Sequence, residues 1–506
     1  MTTSPSLAAG GGTALRAALI MAVLIMAVLN VAMLNGACTP SRQEMQRDVN
    51  SALPEAIARR SRWLGADDDK DRAVQEAVKA LLQQPLTPDG AAEVALVRHR
   101  RVQLAYESLG LAQADLVDAG LLSNPRLALA AHFHQGSLPS QQAQPPGIAV
   151  DVEWPFLSVL FLAQRTSIAE ARQNAAAARV IDEVLATAAD ARRAVVRHAA
   201  ATEVRRLQRA DVEAAEGNLV LVRENTRAGN QTPLDLAEEE LAYQQALLMA
   251  ADAERDATLT HEALKQALGL IGGEGDVDVV ALSSLPTLPV PDGAIMQDPA
   301  VLEVEAIRRS YRLTAMQRDL DAAARDLGYA SVRRFLPDLD VGLVADVDGS
   351  DVAVGPSVGV GLPIFNLGQG EMLRRESLLR RGAADLQRAA VALRAQARQS
   401  AVAHELNLRR SHQLTTRIIP QHLIVVDELE RRLNGMLLFP SRLFAGRRGF
   451  LQARRQETEA RRDAWLTRID VEQLRQGSTP FMSPMSSMSS TAGSQANPSS
   501  SAQGHD

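Results

Sequence analysis

The sequence predicts a mostly helical chain that carries four membrane-crossing β-strands and is built twice on one plan. Three observations predict it. Two β-hairpins alternate apolar and polar residues at period two. A proline-poor run rich in Ala, Leu and Arg, unusually long, follows each hairpin. Both features recur about 210 positions apart in a chain of 506 residues.

The later hairpin runs from Pro337 to Phe365. Leu339, Val341, Leu343, Ala345 and Val347 alternate with Asp340, Gly342, Val344 and Asp346. After a turn at Asp348-Gly349-Ser350, Val352, Val354, Val358, Val360 and Leu362 alternate with Ala353, Gly355, Ser357, Gly359 and Gly361. The earlier hairpin spans 124–156, with Leu127, Leu129 and Ala131, then Ile148, Val150, Val152 and Trp154, as its apolar set. A soluble sheet packed on helices would alternate in the same way. Strands of about 9–11 residues favour a tilted bilayer crossing. So do the aromatics Phe133, Trp154, Phe156, Phe335 and Phe365 near strand ends, where an interfacial girdle would sit. Lipid tolerates no open sheet edge, and the smallest usual barrel has about eight strands. Four strands therefore require oligomerisation, and a homotrimer gives about twelve.

The helical runs come next. No proline lies between Pro155 and Pro233, so one helix there approaches ~100 Å. In the second half Pro420, in "RIIPQH", is expected to kink or break the run. "RENTRAGNQTPLDLAEEELAYQQA" matches "ERRLNGMLLFPSRLFAGRRGFLQA". The match pairs Gly229 with Gly435, Pro233 with Pro440, Leu236 with Leu443 and Tyr243 with Phe450. The resulting plan is a signal peptide at 1–37, a lipidated segment at 38–88, a first repeat at 89–285, a second repeat at 286–477 and a disordered Ser/Pro-rich tail at 478–506.

Cys38 is the single cysteine and follows the apolar run from Ala17 to Leu34. That order suits a lipoprotein signal, with Cys38 lipidated, although Asn35 stands where such signals usually carry Leu. An uncleaved inner-membrane anchor is the alternative, since the run nearly spans a bilayer. A net charge of −6 gives nucleic-acid binding no electrostatic support. No H-E-x-x-H, G-x-S-x-G or phosphate-loop motif is present, so no catalytic residue, metal site or cofactor is assigned. His132 and His134 share a strand face. Two ligands are too few for a metal site, and polar lumen filling is the preferred reading.

The duplicated plan, together with "AGLLSNPRL", "AGNQTPLDL", "GPSVGVGLPIFNLGQG" and "RIIPQ", resembles the TolC-type outer-membrane efflux protein family over roughly residues 90–477. The resemblance implies a homotrimer whose twelve-stranded β-barrel crosses the outer membrane of a Gram-negative bacterium. A long α-helical barrel continues it through the periplasm. It implies an exit duct that docks with a periplasmic adaptor and an inner-membrane transporter. A type I protein-secretion duct shares the fold, and a pore-less periplasmic scaffold lipoprotein is the reading from another class. The helical tips at Gly229, Pro233, Gly435 and Pro440 become the adaptor contact. Asp235, Glu238 and Arg442 become periplasmic gate candidates, against their reading as solvated helix charges. Phe133, Trp154, Phe156 and Phe365 become membrane-interface aromatics.

Overall fold

The computed structural model describes residues 42–58, 63, 76, 78–132, 147–270, 298–336, 338–348, 351–361 and 364–480. The leader with Cys38, the residues Phe133 and His134, and the segment 481–506 lie outside the described residues.

After α1 (Arg42–Ala52), each repeat opens with two helices interrupted at a single residue. α2 (Pro88–Arg98) and α3 (Arg100–Gly120) meet at His99. In the second repeat the break falls at Ser310. Both residues are extended, at φ −70°, ψ 123° and φ −60°, ψ 111°, so each ends one helix while capping the next. His99 Nδ1 accepts from the Arg101 N–H at 3.1 Å, and Ser310 Oγ accepts from the Leu313 N–H at 3.2 Å.

Strands β1 (Arg126–His132) and β2 (Gly147–Pro155) follow in the first repeat. The first helical arm is α4 (Leu162–Arg227) and α5 (Pro233–Leu268). α4 holds 66 residues, a rod of ~99 Å. The second repeat runs α6 (Pro299–Arg309), α7 (Tyr311–Arg333), β3 (Asp338–Asp348) and β4 (Asp351–Gly361). Its arm is α8 (Gln369–Gln413), a π-helical turn (Leu414–Ile418), α9 (Ile419–Asn434) and α10 (Pro440–Arg475).

Pro420 does not break the second arm, and the run carries a π-helical turn directly ahead of it. The helix passes without interruption from Gln369 to Asn434, and the widened turn just ahead of Pro420 takes up the displaced register. That turn is a one-residue insertion relative to the first arm.

α4 packs on α5 and α10, and α10 packs on α8 and α9, so the rods lie side by side in the order α5, α4, α10, α8/α9. Alanines line the seams. Ala246, Ala253 and Ala257 of α5 are buried, as are Ala453, Ala460 and Ala464 of α10, each pair 207 positions apart in sequence (453 − 246). A methyl side chain lets long helices approach closely along their whole length. Bulkier cores, including Leu96, Tyr106, Val184 and Leu185, gather where α1 to α3 cover α4.

Each arm ends on a left-handed glycine. Gly269 (φ +70°) lies against His99, where an added Cβ would meet His99 Cα at 2.9 Å. Gly477 (φ +89°) lies against Arg309, where a Cβ would meet the carbonyl oxygen at 2.3 Å. The Gly477 carbonyl accepts from the Tyr311 N–H at 2.9 Å. Ser478, assigned to the tail from sequence, is fully buried, its Oγ donating to Asp182 O at 3.3 Å. The described chain stays packed to Pro480, whose carbonyl accepts from Gln396 at 2.8 Å.

Candidate functional site

The four strands form one antiparallel sheet in the order β1-β2-β3-β4, and the β2–β3 pairing joins the repeats. Leu129 stands opposite Val150, Val150 opposite Ala345, and Ala345 opposite Val354. This register gathers the apolar sets of both hairpins onto one face. Among the described residues nothing covers that face: Leu129, Val354 and Val358 are each more than 60% exposed. The opposite face collects Arg126, Asp151, Glu153, Asp340 and Asp346 among small residues. Gly342 keeps this wall thin. A Cβ there would lie 2.5 Å from both Ser357 Oγ and Val152 O, and its absence lets Ser357 donate across β3 to Asp151 at 3.3 Å.

The aromatics sit at the end of the sheet where the helices begin. Trp154 lies on the apolar face beside Val341, and its Nε1–H donates to Ser123 O at 2.7 Å. Phe156 follows it by two residues, Phe335 precedes β3 and Phe365 follows β4, and all three are exposed, Phe365 almost completely.

The far ends of the arms are two tight turns of the same geometry. In the first, the Gly229 N–H bonds Thr226 O at 3.0 Å and the Asn230 N–H bonds Asn225 O at 2.8 Å. In the second, the Met436 N–H bonds Leu433 O at 2.9 Å and the Leu437 N–H bonds Arg432 O at 2.8 Å. Both are Schellman closures with one left-handed residue. That residue is Gly229 (φ 76°) in the first and Met436 (φ 55°) in the second. The pairing of Gly229 with Gly435 is therefore corrected by one position: Gly435 (φ −80°) corresponds to Ala228. Counting back from Pro233 and Pro440 would have found this, because those prolines open the returning helices in both arms. The first tip reads Asn230-Gln231-Thr232. The second reads Met436-Leu437-Leu438-Phe439, with Met436 94%, Leu437 78% and Phe439 70% exposed. This apolar knuckle is the feature sequence reasoning passed over.

The three gate candidates occupy the first turns beyond the tips. Asp235 is the third residue of a capping box: Thr232 N–H and Oγ–H donate to its Oδ2, both at 2.8 Å, and the Asp235 N–H donates back to Thr232 Oγ1 at 3.2 Å. These bonds hold its carboxyl below the usual range. Glu238 and Arg442 are exposed. Among the described residues no ion pair joins Arg442 to Asp235 or Glu238 within one chain. The neighbouring arginines are engaged elsewhere: Arg447 with Glu430 at 2.7 Å, and Arg448 with Asp211 of α4 at 3.1 Å.

No protein-family model matches the sequence, and no curated protein matches it. Solved structures do. The Campylobacter jejuni CmeC outer membrane channel superposes with a TM-score of 0.62 at 13% identity, over 78% of this chain and 86% of that one. The chain has the TolC-type fold. The outer membrane protein VceC from Vibrio cholerae gives 0.59 at 15% identity, covering 81% and 97% of the two chains. The open state of the Neisseria gonorrhoeae MtrE outer membrane channel gives 0.59 at 14% identity, covering 77% and 89%. The TolC-type fold thus spans most of the length of all three neighbours, and in this chain the sheet lies at one end and the paired tips at the other.

Proposed function

We propose that three copies of this chain form the outer-membrane exit duct of a tripartite efflux system in a Gram-negative bacterium. The observation that carries the reading is the sheet. It has a bare apolar face, an opposite face bearing Asp151, Glu153, Asp340 and Asp346, and open outer edges on β1 and β4. Setting β4 of one copy beside β1 of the next pairs those edges and closes about twelve strands. Outer-membrane lipid then covers the apolar face, with Trp154, Phe156 and Phe365 at the headgroup level.

The helices support the same assembly. The outermost rods carry apolar stripes left exposed among the described residues: Leu234, Leu241 and Leu248 on α5, seven apart, and Val391, Val402 and Leu406 on α8. A neighbouring copy brings these flanks together. The duct is a passive channel for small molecules or ions, powered by an inner-membrane transporter. A periplasmic adaptor meets the tips around Gly229–Pro233 and Gly435–Pro440. Asp235, Glu238 and Arg442 serve as gate residues, and a lipid on Cys38 adds an anchor.

Heat-modifiable trimers in the outer-membrane fraction, and stepwise conductance when the purified protein is added to planar bilayers, are the expected results. A soluble monomer after removal of residues 1–38 overturns the reading.

A further inference from the structure

Two histidines that the duct mechanism does not use occupy matching places in the two arms. His198 Nδ1 of α4 lies 3.3 Å from Thr260 Oγ1 of α5. His404 Nδ1 of α8 lies 3.3 Å from Thr467 Oγ1 of α10. The sequence separations are 62 and 63, and the extra residue is the one the π-helical turn inserts. Both sit near mid-height. His198 is ~54 Å along α4 from its start, and His404 is ~53 Å along α8.

The heavy-atom geometry around the threonine hydroxyls assigns the tautomer. Thr260 Oγ–H points to the carbonyls of Asp256 at 2.8 Å and Ala257 at 3.0 Å. Thr467 Oγ–H points to Asp463 at 3.0 Å and Ala464 at 3.1 Å. With its proton committed to the helix backbone, each hydroxyl accepts from the histidine Nδ1–H. The neutral ring therefore keeps its lone pair on Nε2, the atom where a further proton would add.

Apart from the Ala257 and Ala464 carbonyls, which accept from the rings and favour the charged form, the surroundings oppose that proton. Around His198, His261 of α5 has its ring centroid 5.1 Å away, Arg205 lies on the same helix, and Glu254 of α5 is tied to Arg205 at 3.2 Å. Around His404, α10 presents Arg468, Arg475 and Glu472, with Arg468 and Glu472 paired at 2.9 Å. Burial first, then the neighbouring His261 and Arg205, pushes His198 down to about 4. Burial and then Arg468 lower His404 from its ordinary value of 6.5.

We propose that the His198–Thr260 and His404–Thr467 pairs are acid-sensitive latches that hold the two helices of each arm together at mid-height. A neutral ring donates across the seam and packs. A ring protonated at Nε2 carries a charge into a half-buried seam beside His261 and Arg205, or beside Arg468, and the helices part. The folded pKa lies below the unfolded value, so the latch is fully engaged above about pH 6.5. It weakens as the pH falls below that, toward about 4 for His198, because the opened state takes up the proton first.

The test uses the full chain in detergent. Histidine C2–H exchange should place both midpoints below the ordinary value of 6.5. Between about pH 7.5 and about pH 5, backbone amides on either side of Thr260 and Thr467 should lose protection about tenfold, after correction for intrinsic exchange. A His198→Gln, His404→Gln double variant, which keeps a side-chain N–H donor, should lose less than about twofold. Midpoints at or above the ordinary value, or an equal loss of protection in the double variant, would overturn the latches. Should the double variant not fold, the wild-type midpoints decide alone. Each latch lies within one chain, so failure to trimerise counts against the duct and leaves this test standing.

Discussion

The two arms share one plan and differ in how they are finished. The first is an unbroken rod, α4, ending in a polar turn at Gly229. The second carries a π-helical turn, a buried Glu457 flanked by Arg454 and Arg461, and an apolar turn that forces Met436 into a left-handed backbone. At the place of Glu457 the first arm has Ala250. The packing alanines and the closing glycines are common to both, so they belong to the scaffold. The turns and the charged seam differ, so they are where the arms can take separate roles.

The largest expected effect tests the shared scaffold. Gly477→Ala places a methyl at a positive φ and against the Arg309 carbonyl, and Gly269→Ala does the same against His99. The backbone alone costs roughly 1–2 kcal/mol, and the contact adds more. Thermal unfolding should show both variants destabilised, Gly477→Ala the more because its clash is with a fixed backbone oxygen at 2.3 Å. Equal melting of Gly477→Ala and wild type would remove the glycine from the plan.

A smaller effect tests the inserted residue. Deleting Thr416 together with Pro420→Ala should convert the π-helical turn into plain α-helix. α9 and α10 would keep the register of the first arm. The expected product melts near wild type and still assembles. A misassembled product would mean that the turn does more than absorb one residue.

The tips come next. Met436→Gly should stabilise by about 0.5–1 kcal/mol by relieving the left-handed strain, and Gly229→Met should destabilise by a similar amount. Chemical denaturation reads both.

The smallest change separates gate from cap. Glu238→Ala leaves the capping box intact, whereas Asp235→Ala removes it. If the acids close the pore, the double variant raises single-channel conductance and Glu238→Ala contributes to the rise. A lower melting midpoint with unchanged conductance would leave Asp235 as a helix cap alone.

Much of the fold was legible because period-two alternation and proline spacing are written locally. Leu339 to Val347 announced a two-faced strand, and the gap from Pro155 to Pro233 announced one long helix. The sheet order was not legible, since β2 pairs with β3 across 183 positions (338 − 155) that no local pattern encodes. Pro420 marks a π-helical turn in place of a break, because a single widened turn can absorb a missing N–H. Gly435 misled because a glycine is the usual left-handed residue, and here methionine fills that place one position later. The histidine pairs stayed hidden because His198 and His404 look ordinary until Thr260 and Thr467 are brought beside them.

The unlike tips fix the valency of whatever docks there. In the proposed trimer, six turns would ring the periplasmic mouth, alternately Gly229-type and Met436-type, so the ring has true three-fold and only approximate six-fold symmetry. A partner that grips the greasy Met436-Leu437-Leu438-Phe439 knuckle saturates at three copies per duct. A partner ring of six must present sockets of two kinds, or one socket that accepts both asparagine and leucine. Counting bound partners therefore reads out which turns are gripped, before any interface has been seen.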